Sequence, residues 1–361
     1  MGFTKGTGFM MKNNIVIKIA LCFLLLAAVS LAGVTYQLLL LKQKQSATVE
    51  RYLLQSAHLI SSEINHWVDK NLQHSIMLTK MADITSMQPE RQAPLLATAR
   101  EVLEWMSVIF VMNVDGEAVA RSDDKRFRNY SDRDYVKQVQ SGQEIGQQIF
   151  IGKAKPIPLQ CFAFPIKNPQ LVGILTQCSL LENIALVVNQ QRTGAKGIAF
   201  LVDEKNRLMA HGNARDFTAK LQDFSEHPAL QEAMEPDVVH VIAAEGKDRV
   251  VVVNDVGMGW KLVVQQDYDE AYSDYLSLYV WWQYTVVAVL SLVVLLIIFL
   301  RAHIVLPLRK ITASADQFSQ GRFSNAIEAT DRGDEIGAAA KAVERLGVSI
   351  RLALKRLKSS S

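Results

Sequence analysis

The chain has 361 residues, is 49% hydrophobic and carries a formal net charge of +3. So small a basic excess excludes the electrostatic footprint of a nucleic-acid binder, and the length allows two or three domains. The average hides two uncharged apolar runs, IALCFLLLAAVSLAGVTYQLLLL at residues 19–41 and YVWWQYTVVAVLSLVVLLIIFL at residues 279–300.

Each run exceeds the roughly 20 helical residues that cross a hydrocarbon core. Ser30-Leu31-Ala32 would suit a signal-peptide cleavage site. The run continues past it for longer than a typical signal core, so an uncleaved anchor is expected. Trp281, Trp282 and Tyr284 open the second run like an interfacial aromatic belt. Lys5, Lys12 and Lys18 precede the first run, and Arg301, Arg309 and Lys310 follow the second. These basic flanks place both termini in the cytoplasm, with Lys42 and Lys44 arguing weakly the other way. The expected order is a cytoplasmic tail (1–18), a span (19–41), an extracytoplasmic domain (42–278), a second span (279–300) and a cytoplasmic segment (301–358). Cys22 then lies in the membrane. Cys161 and Cys178 lie outside, where a disulfide persists. Two buried free thiols are an equal alternative, because bridging needs special geometry.

The outer domain opens with a helix over residues 46–87. Leu53, Ala57, Ile60, Ile64, Trp67 or Val68, Leu72 and Ile76 recur at three- and four-residue steps. His58, His66 and His74 are evenly spaced on it. Eight residues rotate a helix by about 80° beyond two turns, so the three fan out and share no metal. Pro89 and Pro94 bracket a break, and a second helix covers 95–106. Strands follow at 107–113 and 117–121 across the turn Asp115-Gly116. Residues 129–139 read NYSDRDYVKQV, which is either a solvated turn or the wall of a polar pocket. Strands at 145–152, 160–166 and 171–178 come next, the last two joined at Asn168-Pro169. A helix at 181–192 leads to a second set of strands at 197–202, 207–210, 238–244, 249–254 and 261–265. The turn Asp203-Glu204-Lys205-Asn206 echoes Asp115-Gly116, a weak internal repeat in element order. From about residue 267 a helix is expected to run straight into the second span.

The element order and the residues DGEAVARS, NYSDRDYV, IFIGKAKPIPLQCFAFPI and LVGILTQCSL resemble the double-Cache sensor domains of bacterial receptors. The resemblance implies an α+β fold: a long helix with two PAS-like antiparallel-sheet lobes. It also implies a ligand pocket in the lobe far from the membrane, over a curved sheet, with the Ser-Asp-Arg-Asp-Tyr segment as one wall. Arg133 suits that role, since a guanidinium fork matches a carboxylate. Tyr135 offers a phenol and an aromatic face. Tyr130 flanks the segment, and Asp132 and Asp134 would pair with Arg133 or receive an amine. Arg121 and Lys153 are further candidates. The competing reading has Ser131 or Asp132 capping a short helix, with Arg133 in a structural ion pair. One subgroup of these sensors binds amino acids and carries an aspartate on a later strand. Residues 171–181 contain no acid. An organic acid or other small anion is therefore expected ahead of an amino acid.

Beyond the second span, Ile304, Leu308, Ile311, Ala315 and Phe318 form one heptad seam. Ile336, Ala339, Val343, Leu346, Ile350, Ala353 and Leu357 form another. Asp334 is placed to cap the second helix. Pro307-Leu308, Gly321 and Asp334-Glu335-Ile336-Gly337 resemble a HAMP domain, which implies a dimeric four-helix bundle and makes Pro307, Glu335 and Gly337 relay residues. No kinase histidine segment, nucleotide loop, catalytic triad or metal-ligand set stands out, so neither an enzyme nor a cofactor is expected. The reading is a homodimeric sensor of chemoreceptor or sensor-kinase type in the bacterial inner membrane, acting on a cytoplasmic partner. The alternative is a ligand-binding subunit that does not signal.

Overall fold

The structure, a computed structural model, describes residues 15–123, 125, 128–152, 157–190, 197–213, 220–231, 234–322, 327 and 330–359. It divides into two compact units, residues 43–273 and residues 1–42 with 274–361.

Helix α1 runs over Ile15–Thr79. In the 43–273 unit its buried face is Val49, Leu53, Ala57, Ile60, Ile64 and Val68, as the periodicity predicts. The stripe then departs from expectation. Asn71, Ser75 and Leu78 are buried, whereas Ile76 is 43% exposed. Asn71 is held inside by its polarity: its Oδ1 accepts from Trp105 Nε1 at 3.2 Å and Ser179 Oγ at 3.3 Å. Its Nδ2 donates to the Trp67 carbonyl at 2.7 Å. An apolar stripe cannot reveal a buried face built from an amide.

Helix α1 also ends eight residues before the expected limit of 87. The single turn α2 (Ala82–Thr85) follows, and then Met87 at φ 54°. Helix α3 spans Pro89–Val102, with Pro89 in the first turn, where its missing N–H costs nothing. Pro94 therefore sits inside α3 rather than ahead of it. Met106, expected to close that helix, opens strand β1.

The first sheet contains β1 (Met106–Met112), β2 (Ala118–Arg121), β3 (Gly146–Ile151), β4 (Pro158–Asn168) and β5 (Gln170–Leu180). It is antiparallel, in the order β2-β1-β5-β4-β3. Helix α4 (Asp134–Gln140) packs Tyr135, Val136 and Val139 on one face, against Ala163, Ile174 and Cys178. The approach is tight: a Cβ on Gly146 would lie 2.1 Å from the Tyr135 carbonyl oxygen. After α5 (Glu182–Gln190), a second sheet holds β6 (Ile198–Val202), β7 (Leu208–His211), β8 (Val239–Ala244), β9 (Lys247–Asp255) and β10 (Lys261–Asp267). Its order, β7-β6-β10-β9-β8, repeats the first, with the short helix α6 (Pro228–Gln231) standing where α4 stands. The end of the helix expected at 181–192 lies outside the described residues.

The repeat reaches individual hydrogen bonds. Asn113 Oδ1 accepts from the backbone N–H of Asp115 and Glu117, and Asp203 Oδ1 from those of Lys205 and Arg207. Tyr130 N–H donates to the Gly116 carbonyl, and Phe224 N–H to the Asn206 carbonyl.

At the other end of the unit, α7 (Tyr268–Ala271) stops at Tyr272 before α8 (Ser273–Leu300) begins. The expected uninterrupted helix from residue 267 is thus broken once. Gln45 Nε2 donates to the Ala271 carbonyl at 3.1 Å across this break.

In the other unit, the residues of α1 up to Lys42 and all of α8 include stretches long and apolar enough to cross a membrane. After α8, residues Arg301–Val305 form a π-turn that leads into α9 (Leu306–Ser319). Pro307 explains it, having no N–H for the residue 303 carbonyl and a ring that crowds it, so the turn widens. Helix α10 (Glu335–Ser359) starts as expected, with Asp334 Oδ1 accepting from the Gly337 N–H at 3.0 Å. Ile311 and Phe318 pack on Ala340, with Ile336 and Val343 beside them. Phe318 packs against Gly347, where a Cβ would come within 2.4 Å of its ring. Within one chain, Leu346 of the expected seam is 58% exposed.

Cys161 and Cys178 are directly opposite in the β4–β5 hairpin and form a disulfide, which resolves the alternatives left by the sequence. Their separation of 17 residues corresponds to a loop-closure contribution of about 3 kcal/mol. The double variant Cys161→Ala/Cys178→Ala is expected to unfold at a clearly lower urea concentration. An unchanged midpoint would show that the hairpin needs no bridge.

Candidate functional site

The site is built outward from the β1–β2 turn. Gly116 has φ +84°, and a Cβ there would strike the Ser131 backbone at 2.7 Å. Only glycine lets residues 129–131 lie against this turn. Asn129 Oδ1 accepts from the Ser131 N–H at 2.8 Å, and the Arg133 N–H donates to the Tyr130 carbonyl at 3.0 Å. The chain then enters α4 with Arg133 as its N-cap residue, in an extended conformation and without a side-chain cap. Neither Ser131 nor Asp132 caps the helix. The first free N–H, that of Asp134, is met at 3.1 Å by Gln148 Oε1.

A cavity of about 540 Å³ lies between this segment and the sheet. Arg133 lines it, with its guanidinium 4.3 Å from the centre of the Phe150 ring. Asp132 approaches Arg133 at 3.9 Å, beyond hydrogen-bond reach. Arg121 lines the cavity from β2, 5.3 Å from the Phe110 ring. It donates to the Tyr130 hydroxyl at 2.6 Å and grips Asp123 through two hydrogen bonds of 2.7 and 3.2 Å. Tyr130, Tyr135, Val108, Leu159 and Cys178 also line the cavity. Burial pushes the Tyr135 phenol up, so it stays protonated. Burial also opposes ionisation of Asp123, but the hydrogen bonds from Arg121 and the charges of Arg121 and Lys125 outweigh it and hold that carboxyl below its ordinary range.

Arg133, Tyr135, Asp132, Tyr130 and Arg121 thus meet in one cavity. Asp134 is not among the residues lining it. It turns onto Gln148, whose Nε2 donates to Asp134 Oδ2 at 3.2 Å. Lys153 lies outside the described residues. Sequence reasoning missed Asp123, Lys125, Arg128, Phe110 and Phe150, which also line the cavity. The signal was present in SDDKRFR at residues 122–128, immediately before the NYSD segment. Among the described residues no group of His, Cys, Asp or Glu is arranged to hold a metal. His58 instead bonds Asp237 at 2.8 Å. In the other unit, Gly337 admits the Arg332 carbonyl where a Cβ would sit 2.1 Å away, Glu335 opens α10, and Pro307 follows the π-turn.

The second lobe is a control on the first. Phe110 pairs with Arg121 across β1–β2, and Phe200 with His211 across β6–β7. Asn129 to Arg133 correspond to Asp223 to His227, each opening with a side-chain cap on the N–H two residues on. Where the first lobe has two arginines, the second has two imidazoles packed on Phe200, with ring centres 6.2 and 4.9 Å away. The fold therefore does not require guanidinium groups at these positions.

A cation-lined cavity, two candidate membrane spans and a helical pair with heptad periodicity thus occur in one chain. A Cache domain model matches residues 41–275 and a HAMP domain model matches residues 299–351. The chain belongs to the Cache domain family and carries a HAMP domain. Among solved structures it is similar to the sensory domain of the Campylobacter jejuni chemoreceptor Tlp3 with isoleucine bound. That match has 13% identity and a TM-score of 0.54, and covers 64% of this chain and 97% of that one. The ligand-binding domain of the Pseudomonas fluorescens chemoreceptor CtaA in complex with L-isoleucine matches at 17% identity and a TM-score of 0.54, covering 64% and 98%. That of the Pseudomonas aeruginosa PAO1 amino acid chemoreceptor PctC in complex with GABA matches at 17% and 0.51, covering 60% and 99%. At these identities the likeness is one of fold. No curated protein matches the chain.

The Arg121–Asp123 pair gives a pH prediction. A carboxyl held below its ordinary value contributes stability above the unfolded pKa of about 3.9, and loses it as pH falls through the lower folded value. Asp123→Asn is expected to lower the urea midpoint at about pH 6, and the gap to wild type should close as the pH drops below about 4. A gap that is constant with pH would show that the carboxylate charge contributes nothing.

Proposed function

We propose that this chain is one subunit of a homodimeric receptor in the bacterial inner membrane, with both termini in the cytoplasm. A small polar ligand from outside binds in the first-lobe cavity. Arg133 is the principal contact, supported by Tyr130, Tyr135, Asp132 and Arg121. Asp134 supports the wall through Gln148, and Lys153 is a further candidate contact. The signal passes through the second span to the HAMP hairpin, where Pro307, Glu335 and Gly337 set the geometry. It reaches a cytoplasmic partner of chemotaxis or sensor-kinase type. The sensor domain occupies residues 42–278, between spans at 19–41 and 279–300, after a tail at 1–18 and before a HAMP domain at 301–358.

The observation that carries this reading is the placement of Arg133. Its side chain is 14% exposed, lies on an aromatic face and lines a cavity of ligand size. The isoleucine and GABA found in the related domains share a carboxylate with each other. A guanidinium is the side chain best matched to that group. Exposed Leu346 and Leu308 on the heptad seams support a second chain completing the HAMP bundle. A packed bundle of this kind transmits by switching between discrete arrangements.

The test is a thermal-shift screen of organic acids, amino acids and amines on the full chain in nanodiscs. At 100 times its Kd, a ligand adds about 2.7 kcal/mol to the folded state. At least one carboxylate is expected to raise the midpoint, and Arg133→Ala, still folded, should abolish the shift. A shift that survives in Arg133→Ala, or none from any compound, would contradict this reading.

A further inference from the structure

We infer that Arg207 of the second lobe, held by Asp203, is a positioning residue for the first-lobe cavity: it fixes strand β3, which carries part of the cavity wall. The inference rests on the reading of this cavity as the ligand site, and it adds a residue that does not itself line the cavity.

Strand β3 stands at the edge of the first sheet, paired with β4. Its residues 147 to 150 divide between two tasks. Gln148 and Phe150 serve the cavity wall. Gln148 closes on Asp134, the neighbour of Arg133, with hydrogen bonds of 3.1 and 3.2 Å. The Phe150 ring centre lies 4.3 Å from the Arg133 guanidinium. Gln147 and Ile149 meet the second lobe. Gln147 Nε2 donates to the Met258 carbonyl at 2.8 Å, and the Ile149 carbonyl accepts from Arg207 Nη2 at 3.1 Å. The Gln147 N–H also donates to Gln138 Oε1 of α4 at 2.7 Å. The strand that supports Arg133 is therefore bonded to the second lobe within the same few residues.

Arg207 is fastened at its own lobe before it reaches across. Its Nε donates to Asp203 Oδ2 at 2.8 Å, and its Nη2 lies 2.6 Å from the same oxygen. Asp203 is buried, so solvent ions screen this pair less than a surface one. Charge-assisted bonds to two nitrogens hold a guanidinium in one orientation. The Met258 carbonyl comes from a neighbouring turn, where Met258 has φ 54° between Gly257 and Gly259. A Cβ on Gly259 would lie 3.3 Å from the Glu204 Cβ. Val202 and Lys261 are partners in the β6–β10 pair, so both turns sit at the same end of the second sheet.

The first lobe again serves as the control. Its Asn113 makes the same turn bonds as Asp203, accepting from the backbone N–H groups of Asp115 and Glu117. A neutral amide is therefore sufficient for the turn. At the position of Arg207 the first lobe has Glu117, whose carboxylate accepts from Asn113 Nδ2 at 3.3 Å. The charge of Asp203 and the guanidinium of Arg207 are thus not requirements of the turn. What they add to it is the bond to Ile149.

The experiment is hydrogen–deuterium exchange of the full chain in nanodiscs, with no ligand added, on Asp203→Asn, Arg207→Ala and the double variant. Asp203→Asn keeps the turn acceptor that Asn113 supplies in the first lobe and removes the charge that holds Arg207. Each single variant is expected to speed exchange about tenfold in peptides covering residues 134–151, the effect of losing one charge-assisted hydrogen bond. Those peptides contain the bonded N–H groups of Asp134 and Gln147. Peptides covering 106–121, in the same lobe, should exchange as in wild type. The double variant should match Arg207→Ala alone, because Asp203 acts through Arg207. Phenylglyoxal, an arginine reagent, should modify Arg133 faster in Arg207→Ala than in wild type. Unchanged exchange over 134–151, a rise shared equally by 106–121, an additive double variant or an unchanged Arg133 reaction rate would each overturn the inference. No ligand enters the measurement, so its failure is distinct from that of the ligand reading. Unchanged exchange beside an Arg133-dependent thermal shift removes the role of Arg207 and keeps the ligand site. The expected exchange beside an empty thermal-shift screen removes the ligand site and leaves Arg207 as the residue that fixes β3.

Discussion

Both lobes hang on one face of one helix. From Val49 to Leu78 α1 keeps one side buried and bonds to residues of both lobes. His58 meets Asp237 of the second lobe, and Asn71 meets Trp105 and Ser179 of the first. Near its start, Gln45 and Ser46 touch Ala271 and Tyr272, where the chain leaves the domain. Entry and exit are thus pinned together, while the cavity lies at the lobe met farthest along the helix. The far part of the seam includes buried Asn71 and Ser75, and Asn71 reaches Ser179 of β5.

The two lobes share a sheet order and the same turn devices, yet at the two corresponding positions the first presents arginines and the second histidines. This contrast shows that the fold itself does not call for guanidinium groups at these positions. An aromatic ring at the β1 or β6 position accepts a flat polar group above it, and that group is guanidinium in one lobe and imidazole in the other. Burying a guanidinium is costly unless it is paired. Asp123 provides that compensation for Arg121. Arg133 has Asp132 at 3.9 Å and the Phe150 ring 4.3 Å from its guanidinium.

Much of the architecture was legible because it rests on local rules. The strands, the Asn168-Pro169 hairpin, the Asp334 cap and the HAMP periodicity follow from alternation, turn chemistry and heptads. The errors fell where tertiary contacts override those rules. The α1 stripe shifts at Asn71 because an amide, not an apolar residue, faces the sheet. Pro94 was read as a breaker but lies one turn into a helix that Pro89 had already started. The break at Tyr272 and the π-turn before Pro307 leave no pattern in hydrophobicity. In the site, the NYSDRDYV segment pointed to Arg133. The direction of Asp134 depends on Gln148, a strand residue that no local motif couples to it, and Asp123 was passed over because acids in loops are ordinarily solvated.

The central claim is that occupancy at Arg133 changes the packing of the cytoplasmic hairpin. It is tested most directly by disulfide crosslinking of Leu346→Cys in native membranes, before and after adding the compound that raises the unfolding midpoint of the full chain. The account predicts a change in crosslinking rate that disappears when Arg133→Ala is combined with the cysteine. An identical rate with and without the bound compound would contradict it, and would leave a chain that captures its ligand without relaying the event.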